Sequence, residues 1–345
     1  MSNSDGLLSE TIGRLLRETC TPEAIESAEA SGWCPSVWDA LSSAGFTRVG
    51  LAEEDGGSGG TLADAAAVVR VVGHHAAPIP IAETALLGGW LLTQAGIELP
   101  AGSVTVAPTA LPVEHGRIVG TARVAWAARS EAIAVLVESG GRLHVSRINS
   151  CDVEISAGSN LAGEPRENVR FNIPIDRTAN APAPDGVDVD TLRIRGALSR
   201  VLLMAGATEA MSQLTLDYAN TRRQFGRPVA HFQAVQVHLV GLAQCAVQLS
   251  TAADLAVRAL ERGNGSFEVA AAKIVADDAA EAGTRSAHQA HGAMGMTREY
   301  PLHLLTRRLW AWRHEYGTSR QWSRRLGHLA VSTGPDALFP LVAGG

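Results

Sequence analysis

Between two long runs rich in Ala, Leu and Val lies "RRQFGRPVAHFQAVQ", residues 222–236. Two arginines, a Phe-Gly step and a proline interrupt what otherwise reads as helix, and a helix resumes at once with Gln233 beside an aromatic. A guanidinium is a planar fork of donors that meets a phosphate bidentately, which a lysine ammonium does not. Gly226 and Pro228 supply the turn into the next helix. About sixty residues on, "HQAHGAMGMTREYP" brings Gln289, then Gly292 and Gly295 around the small Ala293. Missing side chains there let backbone N–H groups approach a ligand. Singly, an Arg at a helix end is most often a solvated cap and a Gly-x-x-Gly a helix stop. Together, in this order, they mark a place for a phosphorylated anion.

Something must bring these two stretches together. At 345 residues the chain suits two or three subdomains. A hydrophobic content of 46% with mean hydropathy +0.06 excludes general disorder, and 5% aromatics with abundant Ala predict closely packed helices. Residues 1–100 read as short helices, with Thr61 and Asp64 as a capping pair opening one of them. Residues 101–180 change texture: "RIVGTARVAWAA", "AIAVLVES", "RLHVSRI" and "ENVRFNI" are short, β-branched and divided by Gly, Ser and Asn, the signature of a small β-domain. "NAPAPDGVDVD", residues 180–190, reads as a linker. Residues 181–345 then return to helix: Leu198, Val201, Leu202 and Ala205 mark one face, and Val235, Leu239, Leu242, Ala246 and Leu249 another, as in a long antiparallel bundle. The predicted fold is mostly α with a small central β-domain.

A net charge of -6 gives no global attraction to nucleic acid or anionic lipid, so phosphate contacts must be local. Cys20, Cys34, Cys151 and Cys245 form no CxxC pair and read as reduced, mostly buried thiols. His288 and His291 lie three apart and His314 is distant, so no metal site is expected. His74 and His75 read as partners of a helix C-terminal dipole. Lys273, the single lysine beside 28 arginines, fits a coding bias better than a designed position. No basic n-region with an apolar block opens the chain, and no stretch reads as an uninterrupted apolar span of membrane length, so a cytoplasmic protein is expected.

The layout of helices, β-domain and helices, with "GLAEEDGGSGG" before "TLADAAAVVRVVG", "ANTRRQFGRPVAHFQ", and "HQAHGAMG" ahead of "RRLWAWRHEYGTS", resembles the acyl-CoA dehydrogenase family over essentially the whole chain. The resemblance implies FAD as cofactor, an acyl-CoA thioester as substrate and α,β-desaturation as the reaction. In that family Arg-x-x-Phe-Gly and Gln-x-x-Gly-Gly-x-Gly bind the ADP half of an FAD whose flavin sits on the neighbouring subunit. By that match Arg222 contacts the pyrophosphate, Phe225 and Gln233 line the adenosine side, and Gln289, Gly292 and Ala293 reach the adenine end or diphosphate, with Ala293 replacing the family's second glycine.

Three departures stand beside the match. The family's Thr-Glu-Pro-x-Ala-Gly-Ser-Asp stretch of the β-domain is missing between "VTVAP" and "HGRIVGTARVAWAAR". Trp126 of the family's Trp-x-Thr/Ser is present, but Ala128 stands where a hydroxyl should bond the flavin. The base that takes the α-proton immediately precedes Gly-Thr in many members; here Tyr316 precedes Gly317-Thr318, and a phenol of pKa near 10 is a poor base at neutral pH. Glu315 is one residue early, and the alternative position for the base, on the first bundle helix, falls near Gly196.

Intact ADP motifs beside an eroded β-domain predict a subunit of a heteromeric, α2β2-type enzyme, partnered by a homologous acyl-CoA dehydrogenase chain. In this respect the chain resembles the shortened subunits of actinobacterial enzymes acting on CoA thioesters of steroid side chains. The alternatives are a self-sufficient homomeric dehydrogenase with Glu315 as base, and a non-catalytic assembly subunit.

Overall fold

The computed structural model describes residues 3–263, 265–336 and 339–340. Five helices open the chain: α1 (Asn3–Thr19), α2 (Pro22–Ser31), α3 (Pro35–Ser43), α4 (Leu62–His74) and α5 (Gly89–Gln94), the last entered through a π-helical turn at Glu83–Gly88. Their ends follow from local chemistry. The Thr21 hydroxyl accepts the Ala24 N–H ahead of Pro22, and Gly32 in the left-handed region ends α2. Thr61 and Asp64 form the expected reciprocal capping box on α4.

An eight-stranded sheet follows: β1 (Val104–Val106), β2 (Leu111–Glu114), β3 (Arg117–Ala125), β4 (Ala132–Ser139), β5 (Arg142–Asn149), β6 (Glu154–Ser156), β7 (Arg166–Pro174) and β8 (Ala179–Pro182). Its order is β6-β7-β3-β2-β4-β5-β8 with β1 also on β4, antiparallel except where β4 meets β1 and β2. Strand β4 is buried on both faces and serves two cores: Ile133, Val135 and Val137 join Ile118, Val169 and Phe171 inside the sheet, whereas Ala134 and Leu136 join the helical core. The predicted linker begins later than its composition suggests. Ala179–Pro182 pairs with β5 in register Ala181↔Val145, because the edge of β5 offers the free ladder groups that an Ala/Pro-rich segment can still use.

The bundle comprises α6 (Val189–Thr221), a hairpin of β9 (Arg223–Gln224) and β10 (Arg227–Pro228), then α7 (Gln233–Glu261), α8 (Ser266–His291), α9 (Leu302–Trp312) and α10 (Ser319–Thr333). Helix α6 also packs on α4. A Cβ on Gly73 would lie 2.7 Å from Leu203 Cα and one on Gly206 2.7 Å from the His74 nitrogen, so the two helices cross backbone on backbone. Contrary to the sequence expectation, one helix, α7, is long and apolar enough by composition to cross a bilayer; it lies in the bundle against α6 and α8. All four cysteines are free: Cys20 and Cys34 are buried, Cys245 half-buried and Cys151 exposed.

Candidate functional site

Arg222 closes α6: its N–H donates to the Tyr218 carbonyl at 2.8 Å, and its own carbonyl accepts from Val229 N–H at 2.8 Å. The hairpin between them pairs Arg227 with Gln224, leaving Phe225 and Gly226 at the tip with φ of 50° and 79°. Two consecutive left-handed residues are what a tight two-residue hairpin requires. The tip holds Phe225 out, 91% exposed, while the Arg227 guanidinium covers the Phe232 ring at 4.3 Å.

One turn inside α6, the Tyr218 ring stacks on His291 with centroids 4.4 Å apart, and its hydroxyl donates to the His291 carbonyl at 3.2 Å. His291 is the last residue of α8, so this stack brings the Arg222 turn and the Gly292 turn to one end of the bundle. Gly292 has φ 58° and ψ −137°, and beyond its own local chain nothing lies within 4 Å of where its Cβ would stand, so its backbone is open to a ligand. Arg222, Phe225, Gln233, Gln289, Gly292 and Ala293 are all exposed. Sequence reasoning misses Tyr218 and Tyr300, whose rings lie 5.3 Å apart, and raises His291 only as a metal ligand, not as part of this stack. The spacing of Tyr218 four residues before Arg222, on one helix face, was the available signal. An exposed arginine, an exposed aromatic and an open glycine at one end of the bundle are groups that could hold the ADP half of an FAD.

A cleft of about 860 Å³ separates the β-domain from the bundle. Val106, Pro108, Arg123, Asn160 and Arg166 line one wall; Arg193, Arg200, His314, Glu315 and Tyr316 line the other. Glu315 spans it. Its Oε1 accepts from Arg166 Nε at 2.8 Å, and its Oε2 from Arg166 Nη2 at 3.0 Å and Arg200 Nε at 2.6 Å. Burial pushes this carboxyl up, but the Arg166 and Arg200 charges outweigh burial and hold it at about 2. Arg200, 1% exposed, also donates to Glu83 Oε1 at 2.6 Å. The network continues from Arg166 to Glu164 at 3.2 Å, from Glu164 to Arg308 at 3.3 Å, and from Arg308 to Glu29 at 3.2 Å. Alternating charges thus tie α2, the π-helical turn, the β-domain, α6 and α9 together, with Arg166, Arg200 and Glu315 also lining the cleft.

Tyr316, the residue before Gly317-Thr318, has φ 55°, and its carbonyl accepts from Trp322 Nε1 at 3.1 Å. Its ring lies against Gly196. A Cβ at residue 196 would reach 2.5 Å from Cγ of that ring, and closer still to Cδ1 and Cε1. The two positions at which the family resemblance looks for a base are therefore neighbours in space, one without a side chain and the other filled by a phenol. Burial raises the Tyr316 pKa above the ordinary phenol value, which leaves the hydroxyl protonated.

The loop that carries Glu315 and Tyr316 is fixed from behind. Lys273, fully buried on α8, donates to the Arg313 carbonyl at 2.7 Å, and Asp277 one turn on takes Arg313 Nε at 2.6 Å and Nη2 at 3.0 Å. Lys273 is an anchor here rather than an incidental residue. Composition alone could not reveal it, because its role is set by a carbonyl 40 residues away. The expected role of His74 and His75 also changes. Burial lowers both pKa values, helped at His74 by Arg70 and Arg17 and at His75 by His74 and Arg17, that of His75 to about 4, so neither carries the charge a helix dipole would favour.

In the β-domain, just after cleft-lining Ala125, Trp126 is buried with φ 59°, and the following Ala127 N–H donates to Glu167 Oε2 at 2.9 Å. The chain's own carboxylate thus occupies a donor of this turn, and Ala128 adds no hydroxyl. The exposed residues at the bundle end fit the ADP end of an FAD, and in the cleft the Glu315 carboxylate is already paired by Arg166 and Arg200.

Residues 3–98 match the acyl-CoA dehydrogenase N-terminal domain and residues 194–322 the acyl-CoA dehydrogenase C-terminal domain. The chain is 30% identical over 314 residues to acyl-CoA dehydrogenase IpdE2 of Mycobacterium tuberculosis, covering 88% of this chain and 89% of that protein. It is 30% identical over 324 residues to acyl-CoA dehydrogenase FadE34 of the same organism, covering 87% of this chain but only 43% of the relative. Its fold superposes on a chain of the ChsE4-ChsE5 complex from Mycobacterium tuberculosis with a TM-score of 0.84, at 22% identity and over 97% and 99% of the two chains. Extended identity, both domain matches and the shared three-part architecture make this chain a member of the acyl-CoA dehydrogenase family.

Proposed function

We propose that the chain is one subunit of a heteromeric, FAD-dependent acyl-CoA dehydrogenase. In this reading it contributes the ADP-binding half of the cofactor site, and a homologous partner contributes flavin pocket and base. The observation that carries the proposal is the Tyr316 ring seated on Gly196, which leaves no carboxylate at either place where the base is sought. Glu315 acts here as a clamp. Both of its oxygens are engaged by arginines, and a carboxylate held at about 2 has little affinity for a substrate proton.

The outward-facing set Arg222, Phe225, Gln233, Gln289, Gly292 and Ala293 supports the cofactor half of the reading, since a ring as exposed as Phe225 gains by being covered. Val237, Val240 and Val247 leave an apolar strip exposed on α7, in keeping with a partner chain on the bundle. The substrate class we propose is the CoA thioester of a steroid side chain, from the resemblance to shortened subunits of that type, and the compartment is the cytoplasm. Expression alone and with candidate homologous partners tests this. A colourless chain alone and one FAD per heterodimer are expected; stoichiometric flavin with full turnover in the pure homo-oligomer overturns it.

A further inference from the structure

A second cavity, of about 360 Å³, lies away from the cleft, where α1, α4, α6 and α7 diverge. Its size falls within the roughly 300–1,000 Å³ of small-molecule pockets. It exists because α4 and α6 touch backbone to backbone at Gly73 and Gly206. Helices that cross so closely splay apart on either side, and the side chains facing that opening are small: Ala63, Ala66 and Ala67 recur at spacings of three and four on α4. Leu202 and Val257 complete an apolar floor.

The rim is cationic. Arg17, Arg70 and Arg258 face Glu209 and Asp254. Arg70 answers both acids, at 3.4 Å and 3.3 Å, and also bonds the Ser250 hydroxyl. Arg17 and Arg258 have no carboxylate partner among the described residues. Three guanidinium groups against two carboxylates leave one positive charge in excess over an apolar floor. His74 and His75, on the same rim, are held neutral by burial and add hydrogen-bonding capacity rather than charge.

We propose that this cavity binds a small monocarboxylate with an apolar body, the carboxylate between Arg17 and Arg258 and the hydrocarbon against Ala66, Ala67 and Val257. Arg17 and Arg258 are exposed on the rim of the same cavity, and guanidinium groups favour a carboxylate over a neutral amide of the same shape through charge-assisted hydrogen bonds. The site is independent of the cleft and of the subunit role proposed above.

The test uses the full chain, in its natural assembly, titrated with octanoate and with octanamide by isothermal calorimetry. Octanoate is expected to bind at least tenfold more tightly than octanamide. Ala67→Phe, which fills the floor, should abolish octanoate binding. Arg17→Gln with Arg258→Gln should bring octanoate down to the affinity of octanamide. Ala63→Leu, a smaller intrusion into the same cavity, should weaken octanoate several-fold and guards against misfolding of the Phe variant, with circular dichroism melting as the control. Equal affinities for the two probes in the unaltered protein, or octanoate binding unchanged by both floor variants, overturns the proposal.

Discussion

Gly196 on α6 and Tyr316 after α9 meet ring to backbone, so the absence of a side chain at one position is the condition for the phenol at the other. Gly196→Ala should therefore overpack this spot and cost about 1–3 kcal/mol or more, in the range of inserted core methyls. Tyr316→Ala should cost about 3–5 kcal/mol by leaving a void, as large-to-small aromatic changes do. The double variant should be less destabilised than the sum of the two by at least about 1 kcal/mol, because the contact each one disturbs is the same. Urea denaturation of the four proteins decides it; simple additivity would mean that the ring and residue 196 do not touch.

Glu315→Gln should destabilise by about 1.5–3 kcal/mol, the worth of hydrogen bonds to charged groups, because Arg166 and Arg200 lose their shared anion and keep only Glu164 and Glu83. The effect has a defined pH dependence. A carboxyl at about 2 when folded and near 4.3 when unfolded contributes stability that is full above about 4.3 and lost as the pH falls through about 2. The difference between the unaltered protein and Glu315→Gln should thus shrink as pH falls across that window. In the proposed heteromeric complex the same substitution should leave turnover within a few-fold, whereas removing a general base costs about 10²–10⁴-fold.

Arg222→Ala in the proposed complex should weaken FAD by roughly ten- to 150-fold, the equivalent of a charge-assisted hydrogen-bond pair of about 1.5–3 kcal/mol. Arg222→Lys should recover only part, since an ammonium keeps the charge but not the forked geometry. Titration of the apo-complex with FAD measures each; equal affinities for Arg, Lys and Ala would remove Arg222 from the cofactor site.

Lys273→Met should flatten the stability profile at alkaline pH. Burial holds this ammonium at about 8, against roughly 10.4 in the unfolded chain. Between those values the unfolded state binds more protons, so stability from this group rises with pH. Chemical denaturation at about pH 7.5 and about pH 10 should show that rise in the unaltered protein and lose it in the methionine variant.

The sequence by itself determined the order of helices, sheet and helices, because hydrophobic periods of two and of 3.6 are local properties of the chain. The capping box at Thr61 and Asp64 and the turn at Arg222 were legible for the same reason: each is decided within a few residues. The family resemblance then pointed to FAD and to the six outward-facing residues. The linker at 180–190 was misplaced because an edge strand is decided by its neighbour, here β5, and not by its own composition. Tertiary structure alone decided the surroundings of Glu315. Nothing near Glu315 in sequence announces Arg166 or Arg200, which come from β7 and α6 and convert a candidate base into the centre of an ion-pair network. Nor does Gly196 announce Tyr316. Side chains from distant elements set a buried group's protonation and the space around it, and only the packed fold brings those elements together.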